Sequence, residues 1–267
     1  AIWPQTAQRA PDSGAIVLGG CDVRDLVTEY GSPLFAMDEH DVRTRMSGYR
    51  EAFNDPSTHA HVYYAAKAFL STTFARWVMQ EGLRIDVCSG GELACALRAG
   101  IPGDRILMHG NNKSEAELTA AIDAGVGYVV LDSYEEIARL AFLAERANVR
   151  PKVLVRVTLG VEAHTHEFIA TAHEDQKFGF SLATGSAAEA VRRVMALPER
   201  LELVGLHSHI GSQIFVSSGF EVAASRIIAL LAGIRDEYGL ELPLLNLGGG
   251  LGIKYVESDE PPDVAQM

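Results

Sequence analysis

The 267-residue sequence has too little of several things to belong to some common classes. It holds three cysteines, Cys21, Cys88 and Cys95, and an odd number cannot form a fully paired disulfide framework. Cys88 sits in a strand pattern and Cys95 in a helical one, so both are expected as small buried hydrophobes. No apolar run approaches the roughly 18 residues that span a bilayer. The opening Ala-Ile-Trp-Pro-Gln has neither the basic nor the apolar part of a secretion signal. Basic residues are in deficit: the net charge is −12, which argues against nucleic acid and anionic membrane as partners. A reducing cytoplasm is the expected location. No Gly-x-Gly-x-x-Gly follows the first strand pattern, where a dinucleotide fold would carry it. Low complexity and linkers rich in Gly or Ser are also lacking.

What is present is an alternation. The spacing predicts strands over Val62–Ala68, Arg84–Ser89, Ile106–Gly110, Tyr128–Asp132, Lys152–Thr158, Leu203–Gly211 and Leu244–Gly249. Amphipathic stretches separate them: Thr72–Glu81, Gly91–Ala99, Ser114–Ala124, Tyr134–Ala147, Gly185–Ala196 and Phe220–Tyr238. Ser114 followed by Glu117 matches a capping box. Strands alternating with helices mean βαβ units and a parallel sheet. An open doubly wound sheet and a (β/α)8 barrel compete as closures. Polar residues cluster after nearly every strand (Lys67, Ser89, Asn111, Asp132, Thr158, His209), which favours the barrel, whose βα loops converge on one face. Seven strand patterns are visible, so either something else completes the barrel or the chain is part of a longer protein.

Residues 1–60 precede this alternation. Ala15–Leu18 and Pro33–Met37 read as short strands. Asp22–Tyr30 reads as a helix capped by Asp22 and stopped at Gly31, and Asp41–Phe53 as another. The tail Glu257–Met267 is acidic, carries two prolines, and reads as loop.

Lys67 is the most informative residue. In a strand it shares a face with Ala65 and Tyr63, two and four residues back, which aims an amine inward. An inward lysine suits Schiff-base chemistry, whereas a lysine at a strand end also reaches solvent readily. His207 and His209 share a face of the strand over Leu203–Gly211, either as ligand contacts or as hydrogen-bonded core histidines. His-x-His pairs, here and at His164 and His166, can hold a metal, but no carboxylate cluster accompanies them, so no metal is expected. Gly248, Gly249 and Gly250 leave backbone N–H groups bare beside the seventh strand, where barrels often bind phosphate. Ser212 adds a hydroxyl. A lysine, a glycine cradle and an imidazole at strand ends together suit pyridoxal phosphate.

The segments that carry this chemistry are Tyr64–Ala68, Asp86–Leu93, His109–Ser114, His164–Glu167 ahead of Lys177–Gly179, His207–Gln213 and Leu247–Gly252. In this order they resemble the diaminopimelate decarboxylase family, pyridoxal-phosphate enzymes of alanine-racemase-like barrel fold related to ornithine and arginine decarboxylases. The resemblance covers essentially the whole chain. It implies decarboxylation of meso-2,6-diaminopimelate to L-lysine and carbon dioxide. An ornithine- or arginine-like substrate and a non-catalytic cofactor carrier remain as alternatives. It implies that Lys67 binds the cofactor covalently, that His209 stacks on its ring, and that Ser212 and Gly248–Gly250 hold its phosphate. Asp86, Glu92 and Arg156 would tune Lys67, the ring hydroxyl and His209. It further implies an N-terminal extension over residues 1–33 that packs on a later β domain, followed by an incomplete cofactor-binding barrel over residues 34–267. The family continues into an eighth strand with a glutamate for the pyridine nitrogen and into a C-terminal β domain with the substrate clamp. Residues 1–267 alone are therefore expected to be inactive. The partners implied are an amino-acid substrate and a second copy of the chain, in a homodimer with shared active sites.

Overall fold

A computed structural model describes residues 2–54, 57, 59–161 and 177–266. His164, His166 and Glu167 lie outside the described residues, as does Met267. Backbone contacts divide the chain into two units. One comprises Ala1–Val62, Trp77–Leu83 and Ile253–Met267, and the other Tyr63–Arg76 and Arg84–Gly252.

In the first unit, β1 (Gln8–Arg9), β2 (Ile16–Leu18) and β3 (Cys21–Asp22) form an antiparallel sheet, of which only β2 was expected. Helix α1 (Val23–Tyr30) starts where the Asp22 carboxylate accepts from the Arg24 N–H and stops at Gly31, as the sequence predicts. Helix α2 (Glu39–Ala52) begins two residues earlier than expected, because Asp38 caps it by accepting from the His40 and Asp41 N–H groups. Pro33–Met37 forms no strand. Extended backbone becomes a strand only with a ladder partner. No described backbone pairs with this run, and Phe35 is 98% exposed.

The second unit is built on parallel strands. Chain order gives β4 (Tyr63–Ala65), α3 (Thr72–Gln80), β5 (Arg84–Val87), α4 (Gly90–Arg98), β6 (Ile106–Met108), α5 (Glu115–Asp123), β7 (Tyr128–Leu131), α6 (Tyr134–Ala147) and β8 (Lys152–Thr158). There follow β9 (Phe180–Ser181), α7 (Ser186–Met195), β10 (Glu202–His207), α8 (Ser218–Tyr238) and β11 (Leu244–Asn246). Helix α3 bridges the two units in sequence. The strands pair in the order β4-β5-β6-β7-β8-β10-β11, and the short β9, missed by sequence reasoning, pairs with the end of β8. The result is seven neighbouring strands of the alanine-racemase-like TIM-type barrel, with helices between them, so the expected fold class holds. Ser114 and Glu117 form the predicted capping box at α5. Among the described residues, no helix is long and apolar enough to cross a membrane.

Register makes one strand face into two layers. Leu107, Val130, Leu154 and Val204 pack as an apolar cluster with Tyr63, Tyr128 and Leu244 against it. Two residues onward from the first three come His109, Asp132 and Arg156, which the period of two keeps on that same face. Asp86 pairs with Leu107, and His207 with Arg156, so both join this side. A polar layer thus sits on an apolar one, toward the C-terminal ends of the strands, which is where barrel chemistry is found.

Candidate active site

Most predicted strands end early, and this moves two key residues. Strand β4 stops at Ala65, and Lys67 lies in a single 3-10 turn, Ala66–Ala68. Lys67 is exposed rather than buried on an inward strand face, because the backbone turns before reaching it. Strand β10 stops at His207, so His209 stands two residues past the ladder instead of sharing a strand face with His207. Cys88 is exposed just beyond β5, and Cys95 is half-buried in α4, so neither is the buried hydrophobe expected from its pattern.

The segment after β10 and the glycine run after β11 touch backbone to backbone. The Ile214 N–H donates to the Gly250 carbonyl at 2.9 Å, and the Gly252 N–H to the Ile214 carbonyl at 2.8 Å. Gly248 and Gly250 both have positive φ, +74° and +100°. A Cβ on Gly248 would lie 2.6 Å from the Ser208 carbonyl oxygen, so only glycine fits there without displacing backbone. At Gly249 a Cβ would meet nothing within 4 Å, which leaves that stretch of backbone bare to the open. The Gly249 N–H points to His209 Nδ1 at 3.4 Å, and Ser212 is exposed on the adjoining segment. The fold therefore brings His209, Ser212 and Gly248–Gly250 into one neighbourhood.

His209 is held neutral. Burial lowers its pKa from 6.5 to about 4, and the positive charges of Lys67 and Arg156 push in the same direction. Lys67 is close enough for its charge to register on this ring. Strand register agrees, since Lys67 follows Ala65, which pairs with Asp86. Glu92 bends back from the first turn of α4, where it accepts from the Cys88 N–H at 2.8 Å and so fixes the chain just past Asp86.

Asp86 and Arg156 are linked by a residue to which sequence reasoning assigned no role. His109 Nδ1 lies 3.3 Å from Asp86 Oδ2, and His109 Nε2 lies 3.4 Å from Arg156 Nη1. Arg156 is buried, contacts Asp132 at 3.4 Å, and lies over the Phe178 ring at 4.4 Å. Asp132 also accepts the Gly179 N–H at 3.0 Å. The edge of His109 meets His207 with ring centroids 4.5 Å apart. His207 is buried, and its pKa is driven well below the usual histidine range by burial first and nearby positive groups second. Asp86 Oδ1, His207 Nδ1 and Ser208 Oγ are buried with no hydrogen-bond partner among the described residues. Buried polar atoms without partners are uncommon and mark a place where a polar ligand or water belongs. The signal that would have found His109 is the period-two step from Leu107, the same step that leads from Val130 to Asp132.

The chain resembles known proteins along essentially its whole length. Residues 39–267 match the family model described as pyridoxal-dependent decarboxylase, pyridoxal binding domain. The chain is similar to diaminopimelate decarboxylase of Mycobacterium tuberculosis, 54% identical over 270 residues, which takes in 100% of this chain and 59% of that protein. It is 44% identical over 253 residues to diaminopimelate decarboxylase of Bacillus subtilis, covering 95% of this chain and 57% of that one. Among solved structures, it is similar to diaminopimelate decarboxylase from M. jannaschii in complex with L-lysine. There the TM-score is 0.89 at 30% identity, over 98% of this chain and 61% of the other. The chain thus spans about three-fifths of the length of the curated relatives it matches.

Proposed function

Because the chain belongs to the pyridoxal-dependent decarboxylases, whose pyridoxal-binding domain it carries, we propose that the whole protein converts meso-2,6-diaminopimelate to L-lysine and carbon dioxide with pyridoxal 5'-phosphate. The observation that carries this reading is the joined pair of backbone segments, Ser208–Ile214 and Leu247–Gly252, with His209 between them and Lys67 close enough to lower its pKa. The residues fit the cofactor. Bare backbone at Gly249 and the hydroxyl of exposed Ser212 suit a phosphate, and orphaned Asp86 Oδ1 leaves an acceptor for a polar group.

Each residue then has a task. Lys67 is the residue assigned to hold the cofactor covalently, and it is exposed, as a residue that must reach a partner needs to be. Gly248, Gly249, Gly250 and Ser212 hold the phosphate. His209 would support the ring of the cofactor; being neutral, it offers a flat face without adding positive charge. Asp86, Glu92 and Arg156 set the charge around Lys67 and the ring. Once bound, the cofactor supplies the acceptor for the electron pair left behind by departing carbon dioxide. When not bonded to the cofactor, Lys67 Nζ would be a base able to hold a proton. The similarity to relatives named for this reaction, one of them solved with L-lysine, supports the choice of substrate. By the same resemblance we assign the protein to the cytoplasm as a homodimer with shared sites. Residues 1–33 would form an extension on a β domain, and 34–267 the cofactor-binding barrel.

The test uses the whole protein. After loading with pyridoxal phosphate, borohydride reduction and peptide mapping should place the pyridoxyl group on Lys67; label on Lys113 or Lys177 would overturn the assignment. Carbon dioxide release is then compared for meso-diaminopimelate, L-ornithine and L-arginine, with the first expected to be fastest. Faster release from either of the others would move the substrate assignment to the sister decarboxylases. Cofactor binding with no release from any of the three would overturn the catalytic reading.

A further inference from the structure

His109 joins Asp86 to Arg156, the two buried-layer groups given a tuning task above. It stands one residue past β6, on the face shared by Asp86, with Nδ1 at 3.3 Å from Asp86 Oδ2 and Nε2 at 3.4 Å from Arg156 Nη1. A guanidinium only donates hydrogen bonds, and a carboxylate only accepts them. One form of the ring satisfies both neighbours: neutral, protonated on Nδ1, donating to Asp86 and accepting from Arg156. The ring is also held from the side, where its edge packs on buried His207 at 4.5 Å and 79°. Arg156 in turn is fixed by Asp132 and Phe178. The chain Asp86–His109–Arg156–Asp132 therefore runs across four strands, from β5 to β8, with His109 and Arg156 each engaged on both sides.

We propose that His109 is a positioning residue: locked in its Nδ1–H tautomer, it holds Asp86 and Arg156 in fixed places and leaves Asp86 Oδ1 free for the group that Lys67 carries. The last clause rests on the cofactor reading above; the tautomer and the bridging do not. Asp86 is placed for this, because its strand partner Ala65 precedes Lys67 by two residues and its Oδ1 is buried without a partner among the described residues. Loss of the His109 bond would let the carboxylate rotate and use Oδ1 elsewhere. Among the described residues, the charged and titratable groups around His109 are Asp86, Arg156, His207 and His209, with Asp132 behind Arg156.

The experiment reads the tautomer directly. In the whole protein with isotope-labelled histidine, long-range proton–nitrogen spectra report which ring nitrogen carries the proton. The His109 signals are identified by their loss in His109→Asn. A neutral ring protonated on Nδ1 is expected; protonation on Nε2, or a cationic ring at neutral pH, would overturn the proposal whether or not a cofactor binds. In a second arm, His109→Phe removes both contacts, while His109→Asn keeps a donor where Nδ1 stood. The Phe variant should bind pyridoxal phosphate about tenfold more weakly, the loss expected for one buried hydrogen bond. The Asn variant should recover most of that loss. Asn no better than Phe, or Phe equal to the parent, would also overturn it. Failure of the parent protein to bind pyridoxal phosphate would instead sink the cofactor reading and leave the tautomer result standing.

Discussion

A Cβ on Gly250 would sit 1.9 Å from the carbonyl oxygen of Gly211, so the two segments meet there with no room for a side chain. Gly250 also has a φ of +100°, outside the range L-residues adopt comfortably. Gly250→Ala should therefore cost about 2–3 kcal/mol of stability and abolish tight cofactor binding, because the segments must part. Gly249→Ala meets nothing within 4 Å and should change stability by less than about 0.5 kcal/mol. It should still weaken cofactor binding, by placing a methyl on the bare backbone. Denaturant midpoints and cofactor titrations of both variants check this; equal midpoints would show that the Gly250–Gly211 contact is dispensable.

Lys113 and Glu136 form a buried ion pair at 2.8 Å, with side chains 1% and 2% exposed. Lys113 Nζ also donates to the Gly110 and Val130 carbonyls, at 2.6 and 2.7 Å. With three acceptors this lysine is structural, which is why the pyridoxyl label is expected on Lys67. Lys113→Met would strand the Glu136 carboxyl and cost about 3–5 kcal/mol near neutral pH. Burial already raises the Glu136 pKa. A folded pKa above the unfolded one means that the native state favours the protonated group. Its contribution is therefore present below the unfolded pKa of about 4.5 and is lost as pH rises through the folded value. The deficit of Lys113→Met should accordingly shrink in acid and grow toward neutrality, while Lys113→Met with Glu136→Leu recovers most of it. Unfolding measured at several pH values decides, and a deficit independent of pH would count against a stranded carboxyl.

His209 titrates in the opposite sense. Its pKa falls from 6.5 in the free side chain to about 4 in the folded chain. The unfolded state therefore takes up a proton across that window while the native state does not, and stability declines as pH drops from about 6.5 to about 4. Allowing for screening of a ring that solvent partly reaches, the decline due to His209 should be about 2 kcal/mol. His209→Phe should shallow the acid limb without removing it, since buried His207 acts in the same direction. An unchanged limb would mean that His209 is protonated in the native state.

His207 and His209 should also separate by phenotype. His207 is 2% exposed and packed edge-on against His109, so His207→Ala leaves a cavity and should cost about 2 kcal/mol or more. His209 lies past the strand end, beside the glycine backbone. His209→Ala should cost less stability but more cofactor affinity and turnover. Melting curves and cofactor titrations compare the two, and the reverse order would mean that the ring-facing imidazole is His207.

The sequence by itself determined whatever depends on neighbours along the chain. The alternation of periods predicted the parallel strands, and β8 and α6 appear with the predicted ends. Ser114 and Glu117 announced their capping box, Asp22 and Gly31 bounded α1, and the order of short motifs carried the family resemblance. Tertiary structure decided the rest. A strand continues only while a neighbouring strand answers its hydrogen bonds, so β4 stops at Ala65 and puts Lys67 in an exposed turn, while Pro33–Met37 lacks a described partner and forms no strand. Apolar patterning alone foresaw neither. The Asp86–His109–Arg156 bridge joins residues 23 and 47 positions apart. Such a contact depends on strand register, a property of pairs of strands that no single stretch of sequence contains.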